Sequence, residues 1–271
     1  MRRHVLGIDH AVLLVRDLDR AQQTWQRLGF TLTPRGFHSL GSQNHCIMFG
    51  RDYLELMALP KAHPALQYFA DFLARGEGLG AIALATGDAA AAHAELAQAA
   101  ISAAPPLALS RRVDGLGEAR LSLVQLQPAQ TPGLRMFLCQ HHTRDIVWRP
   151  EFQAHAIGAT GIASVVLVAE DATSYAAVFG ETPRRSEDGL RIETGSAPML
   201  VASIEKLKSR FGGLPLPQRA PPMVAAVSLR VADRAGTAAA LRRGGFSPFA
   251  LPDGSIAIGA DQAHGVALIF E

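Results

Sequence analysis

The 271-residue sequence predicts an α+β fold of four βαβββ modules joined in two pairs. Three observations carry this expectation. Gly7–Asp17 reads GIDHAVLLVRD, and the same outline returns at Gly78–Asp88 (GLGAIALATGD), Gly161–Asp171 (GIASVVLVAED) and Met223–Asp233 (MVAAVSLRVAD). Each apolar run ends on an aspartate ten residues from its start, and a stretch with helical spacing follows. A Gly-Phe pair also recurs, at Gly29-Phe30 and Gly245-Phe246, with thirteen residues from the preceding Asp to each Phe. A unit that cannot bury its apolar face alone must stack on a neighbour, so a repeat of this kind constrains architecture more than any single motif.

The elements follow in order. Each unit opens on a strand whose alternation is partial (Val5, Ile8, His10, Val12 and Leu14 in the first), as expected where both faces are covered. Asp17, Asp88, Asp171 and Asp233 then stand at helix N-caps, where a carboxylate accepts from free backbone N–H groups. In the first helix Leu18, Ala21, Trp25 and Leu28 share one face, and Gly29 ends it. Closing strands are expected at Phe30–Pro34, His45–Phe49 and Tyr53–Leu59, with Gly50-Arg51-Asp52 as the tight turn between the last two. The second unit closes with Leu107–Arg112, Ala119–Gln125 and Leu134–Gln140. The third closes with Leu190–Glu193 and Pro198–Ala202, and the fourth with Ser255–Ile258 and Val266–Phe270. Lys61–Gly76 reads as a helical linker, and Glu205–Pro222 starts helical and finishes Pro-rich. The segment from His142 to Thr160 has little periodicity, so the halves are expected at about 4–150 and 155–271.

Composition excludes several classes. Hydrophobic content of 48% with 18% charged residues is that of a soluble globular chain. The formal net charge is +2 and the basic pairs Arg111-Arg112 and Arg184-Arg185 are too sparse for a nucleic-acid surface. No apolar run reaches the length of a membrane span, and the start runs directly into a patterned strand rather than a secretory signal. Cys46 and Cys139 sit in apolar strand-like runs and read as reduced thiols of a cytoplasmic protein. Gly76-Glu-Gly-Leu-Gly80 precedes a strand instead of opening a helix, so it is no dinucleotide fingerprint.

The repeat, opening on Ile8-Asp9-His10 and closing its first unit with Tyr53-Leu54-Glu55-Leu56, resembles the vicinal oxygen chelate superfamily, the fold of glyoxalase I, extradiol dioxygenases and bleomycin-resistance proteins. More narrowly it resembles the glyoxalase-like domain branch, through His38-Ser-Leu-Gly-Ser-Gln-Asn44-His, Tyr53-Leu-Glu-Leu and Trp148-Arg-Pro…His155-Ala-Ile-Gly-Ala-Thr. The resemblance covers roughly the first 165 residues and implies two paired glyoxalase-like halves, the first carrying the site.

It also implies a metal position. Carried over, the ligand places are His10 and Glu55 from the first unit, with Ala81 and Leu138 or Gln140 from the second. Imidazole and carboxylate suit a divalent cation (Zn, Ni, Mn or Fe) that polarises two vicinal substrate oxygens. Ala81 and Leu138 ligate nothing. Gln140 offers only an amide oxygen, and His142, of the same parity, is the candidate third ligand. Of the doublet His141-His142 only one can face inward, because adjacent strand residues point to opposite sides. His38 and His45 are further donors. In the second half the equivalent positions hold Ser164 and Ala226, so that half reads as support for the first.

Glu55 is also the candidate catalytic base. Desolvation would raise its pKa and fit it for proton abstraction, whereas a cation beside it would do the opposite. His38, Asn44, Arg120, Gln140 and Trp148 are the expected substrate contacts. Any inward-pointing arginine among Arg35, Arg111, Arg112, Arg120 and Arg135 would hold a carboxylate or phosphate. Two functions stay open: a metal-assisted lyase, isomerase or dioxygenase acting on a small oxygenated metabolite, and a metal-free small-molecule binder of the resistance type using the same cavity. A metal-free acid–base enzyme lies between them. The partner is a small molecule in each case, and homo-oligomers remain compatible.

Overall fold

The computed structural model describes residues 1–271 and contains two eight-stranded sheets. The first half comprises β1 (Ile8–Leu14), α1 (Leu18–Arg27), β2 (Gly36–His38), β3 (Gln43–Met48), β4 (Tyr53–Ala58), α2 (Gln67–Ala74), β5 (Gly78–Ala85), α3 (Ala89–Gln98), β6 (Leu107–Val113), β7 (Gly117–Gln125) and β8 (Arg135–His141). Its strands close into a barrel in the order β1-β4-β3-β2-β6-β7-β8-β5. The second half comprises β9 (Ala159–Val168), α4 (Thr173–Phe179), β10 (Arg184–Ser186), β11 (Gly189–Ile192), β12 (Met199–Ala202), α5 (Ile204–Phe211), β13 (Met223–Val231), α6 (Arg234–Arg243), β14 (Phe249–Ala250), β15 (Ile256–Ile258) and β16 (Ala267–Phe270). These strands form an open sheet, β10-β11-β12-β9-β13-β16-β15-β14. The four modules are therefore present, paired two and two. No helix is long and apolar enough to cross a membrane.

Every module uses one device. Its first strand pairs in parallel with its last, as β1 does with β4 and β5 with β8, and the first strands of paired modules meet antiparallel. The aspartate at the strand end turns the chain into the helix. Asp17 accepts from the Arg20 amide and Asp88 from the Ala91 amide, each at 3.0 Å. Asp171 accepts from Thr173 and Ser174. Asp233 holds the N-cap position of α6, but its side chain makes no capping bond.

Some edges depart from expectation. Phe30–Pro34 is not a strand; it is tied to β3 through Thr33, whose amide donates to the Cys46 carbonyl while its hydroxyl accepts from the Cys46 amide. The strand that completes the module is the short β2, whose partners β3 and β6 lie on either side. The edge strands β10 and β14 carry too few residues to register as periodic segments. Arg184 and Arg185 on β10 put charge on an unpaired edge, which discourages edge-to-edge association.

The core lies between the sheets. One apolar cluster runs from the outer face of the barrel (Ala11, Leu13, Leu54, Leu56, Ile82, Leu84, Leu138) through Trp25 of α1 and Tyr175 of α4 to the second sheet (Val165, Leu167, Val227, Leu229, Leu268). The inner faces differ. The hollow of the second sheet is filled by Leu207 and Phe211 of α5 and by Leu214, packed on Val166, Leu200, Met223 and Ile269. Arg210 fastens α5 there by an ion pair to Asp188 at 2.8 Å. The barrel is instead stoppered at two places: Ile146, Val147, Trp148 and Phe152 pack on Cys46, Met48 and Tyr53, while Phe69, Phe72 and Leu73 of α2 pack on Val12, Leu14 and Met57. A cavity remains between the stoppers.

Candidate functional site

Strand phase decides which side chains see that cavity. His10 and Val12 of β1, Tyr53, Glu55 and Met57 of β4, Leu109 and Arg111 of β6, Leu121, Leu123 and Gln125 of β7, and Arg135, Phe137 and Cys139 of β8 line one common cavity. His38, Leu40 and Ser42 close it from the β2–β3 side, and Leu66 and Phe69 from the α2 side. Apolar walls thus surround a small polar group built on His10, His38, Glu55 and Arg111. This is the usual chemistry of a small-molecule pocket.

The polar group is tightly ordered. A register shift between Ile8 and His10 in the β1–β5 pairing interrupts the ladder at the point where two adjacent residues work together. His10 Nδ1 donates to Asp9 Oδ2 at 2.6 Å, and its Nε2 lies 3.5 Å from Glu55 Oε2. The ring stacks on Tyr53 with centroids 4.2 Å apart. His38 Nδ1 is bonded to the Ser42 hydroxyl at 2.9 Å, and its Nε2 lies 3.7 Å from Glu55 Oε1. Asn44 Nδ2 donates to that same oxygen at 2.5 Å. Gly36 makes room for this arrangement: a Cβ there would fall 2.3 Å from Asn44 Oδ1 and 2.9 Å from Arg111 Cδ.

Charge follows from these contacts. Burial alone would push Glu55 up, but the nearby His38, His10 and Arg111 and the Asn44 hydrogen bond outweigh it and hold the carboxylate below its ordinary value. Asp9 behaves in the same way, with burial opposed by hydrogen bonds from His10 and His141, and lies well below the usual range. Burial pushes the His38 imidazole down to about 4, so it is neutral at pH 7. Burial likewise pushes the Cys46 thiol up to about 11. Glu55 is therefore an anionic ligand or acceptor. A carboxylate held low in pKa is a poor proton abstractor, which counts against the role of general base.

The expected contacts divide. His10, His38 and Glu55 come together. Asn44 is not a loop contact but a buried β3 residue that fixes Glu55. Gln140 and His142 stand on the outer face of the barrel: Gln140 accepts from the Ala89 amide and donates to the Gly87 carbonyl, capping α3, and His142 bonds Ser122. The inward parity of β8 belongs to Phe137, Cys139 and His141, because Ala83, the β5 partner of Phe137, faces the interior. Arg120 is exposed on the outer side of β7, between the buried Ala119 and Leu121. Trp148 lies behind Tyr53 and His141, with ring centroids 5.2 and 5.0 Å away, and stoppers the barrel rather than lining the cavity. His45 points away too, bonded to the Thr33 carbonyl.

His141 and Asp9 are residues that sequence reasoning passed over. His141 Nε2 donates to Asp9 Oδ2 at 3.0 Å, so one carboxylate bridges two imidazoles. The doublet signalled that one histidine faces in; only the strand register tells which. Replacing His142 with alanine is expected to leave stability within about 0.5 kcal/mol of the parent, because its ring bonds only an exposed hydroxyl. His141→Ala leaves the buried Asp9 short of one donor and is expected to cost about 1–3 kcal/mol. Chemical denaturation of the two variants checks the assignment of faces.

One donor set is compact enough for a divalent cation as it stands, and a second faces the cavity. Asp9, His10 and His141 offer atoms within 4.8 Å of one another, yet Asp9 there already sits at hydrogen-bond distance from both rings. The inward set, His10 Nε2, His38 Nε2 and Glu55, has its ring nitrogens free and its Nδ1 atoms fixed by Asp9 and Ser42, the second-layer arrangement found around metal-binding histidines. Ligand atoms about 2.1 Å from one ion at a tetrahedral angle lie about 3.4 Å apart. Each histidine singly meets that value, at 3.5 and 3.7 Å, but against different oxygens of Glu55, so a cation shared by all three needs a small inward turn of the side chains. Ala81 and Phe137 occupy the positions that the module symmetry pairs with His10 and Glu55, so those two positions supply no ligand from the second module. In the open sheet the same positions hold Ser164, Leu200, Ala226 and Ile269, whose single hydroxyl does not make a cation site.

The family model described as a glyoxalase-like domain matches residues 8–182. No curated protein sequence matches the chain. Among solved structures, a hypothetical protein from Staphylococcus aureus superimposes with a TM-score of 0.66 at 14% identity, covering 97% of this chain and 98% of that one. A mutant of 4-hydroxymandelate synthase from Streptomyces coelicolor gives 0.58 at 14% identity, covering 92% and 78%. A xylose isomerase-like TIM barrel/4-hydroxyphenylpyruvate dioxygenase fusion protein gives 0.59 at 14% identity, covering 98% of this chain and 49% of that one. At such identities the likeness is one of fold.

Proposed function

The chain belongs to the glyoxalase-like domain family, with the vicinal oxygen chelate fold, and from that premise we propose that it is a metal-assisted enzyme acting on a small oxygenated metabolite inside the barrel. The observation that carries this reading is the convergence of His10 Nε2 and His38 Nε2 on the two oxygens of Glu55. These three residues would hold one divalent cation, Zn, Ni, Mn or Fe. When bound, it supplies Lewis-acid polarisation of two vicinal substrate oxygens.

The chain's own residues supply the rest. Asp9 and Ser42 fix the tautomer and direction of each imidazole, and Tyr53 holds the His10 ring by stacking. Asn44 leaves Glu55 one fixed orientation. Leu109, Leu121, Leu123 and Phe137 exclude water from the polar end and accept an apolar part of the substrate. The α5 plug supports assigning the chemistry to the first half and a structural role to residues 155–271. Two buried free thiols suit a reducing, cytoplasmic setting.

The metal-free alternative, a binding protein using the same cavity, is favoured by one observation, the apolar Ala81 and Phe137 in place of two further ligands. Elemental analysis of protein purified without chelator decides between them. About one equivalent of a divalent ion is expected in the parent, and none in His10→Ala. A metal-free parent with an intact fold would leave the binding reading standing alone.

A further inference from the structure

Arg111 is nearly inaccessible, 2% exposed, yet has no carboxylate within ion-pair distance in the whole chain. Its one hydrogen bond runs from Nη1 to the Cys46 sulfur at 3.0 Å, and that thiol is neutral. Nε is buried without a partner. Glu55, the one carboxylate that bears on its charge, is already engaged by Asn44 and by the two histidines. A buried guanidinium is normally paired, because removing its hydration without compensation is costly. Arg111 is instead held against the wall by Gly36, where its stem occupies the place of a missing side chain, and it borders the cavity. The other cavity cation, Arg135, is committed: it donates to Gln125 and to the Leu126 carbonyl.

We propose that Arg111 is the anchor for the carboxylate of an amphipathic carboxylic acid, whose apolar chain lies along Leu40, Leu109, Leu121 and Leu123. The planar fork and the unused donors match a carboxylate, and the leucines lead from Arg111 along β6 towards its exposed first residue, Leu107. The inference names the substrate class of the cavity proposed above and rests on ligands entering that cavity, though not on a metal being bound there.

The test compares octanoate with octanamide, which share length and shape and differ in charge, by titration calorimetry. The parent is expected to bind octanoate at least tenfold more tightly, before and after dialysis against a chelator. Arg111→Gln is expected to bring the ratio close to one, while Arg135→Gln leaves it intact. A parent without the preference overturns the proposal, whatever becomes of the variant's folding. A preference that persists in Arg111→Gln, or that vanishes in Arg135→Gln, overturns it as well. One that vanishes on chelation places the carboxylate on a metal, which removes the role of Arg111 and leaves the metal reading standing.

Discussion

Glu55→Gln is expected to lower the affinity for a divalent cation at least a hundredfold while leaving the fold in place. Glutamine has the same shape, and its amide oxygen can accept from Asn44 as the carboxylate does, so the hydrogen bond at 2.5 Å has a substitute. What disappears is the single negative charge on which His10 and His38 converge. Neutral imidazoles remain, and two such ligands hold a cation far less well than the same pair with a carboxylate. Stability should fall as well. The folded-state pKa of Glu55 is depressed, so its ionised form contributes stability above the ordinary carboxylate value, and this is lost as pH falls through the folded pKa. In the variant the bond from Asn44 is no longer charge-assisted, a loss of about 1 kcal/mol at pH 7. Competition against a fluorescent chelator measures the first effect and denaturant unfolding the second. An unchanged metal affinity would remove Glu55 from the ligand set.

How far the site was legible follows from the same strands. His10 and Glu55 were visible because each interrupts an apolar run with a group too costly to bury without purpose. The four-fold strand–Asp outline likewise exposed the modules, since the aspartates cap helices in three of them through side-chain bonds. The last strand of the second module was not legible. Met136, Leu138, Phe137 and Cys139 are apolar on both parities, so alternation carries no phase, and a shift of one residue exchanged His141 for His142 and cavity for helix cap. Arg111 and Arg120 were indistinguishable for a related reason: only the pairing of β6 with β2 and β7 tells which arginine faces inward. Asn44 reads as a turn former in sequence, and its role emerges only when β3 and β4 pair and set Cys46 opposite Glu55. Sealing of the second hollow by α5 was beyond the sequence too, because Leu207 and Phe211 have the spacing of any amphipathic helix.

Asp52→Asn is expected to make the protein more stable at neutral pH. Asp52 ends the turn before β4 and accepts from the Ile162 amide of β9 at 2.9 Å, so it ties the barrel to the second sheet. Burial pushes its carboxyl up to about 6 from 3.8, against the Ile162 bond and Arg230, which lower it. A raised pKa means that the protonated form suits the folded state. The favourable contribution is complete below about pH 4, declines as pH rises to about 6, and is gone at pH 7. The difference amounts to roughly 3 kcal/mol. Asparagine keeps the acceptor for Ile162 and carries no charge, forfeiting only the 3.8 Å pair with Arg230, whose side chain is half exposed, a contribution of about 0–1 kcal/mol. The net gain at pH 8 is therefore about 2–3 kcal/mol, or several degrees in Tm for a chain of this length. Thermal unfolding at pH 8 and pH 4 checks it: the variant should lead at pH 8 and the lead should shrink towards pH 4. An asparagine variant that melts lower at both would mean that the charge itself secures the docking of the two sheets, through Arg230, despite its burial. Either result bears on the cavity, since the next residue after Asp52 is Tyr53, the ring on which His10 is stacked. A looser docking of the second sheet would reach the site along that one peptide.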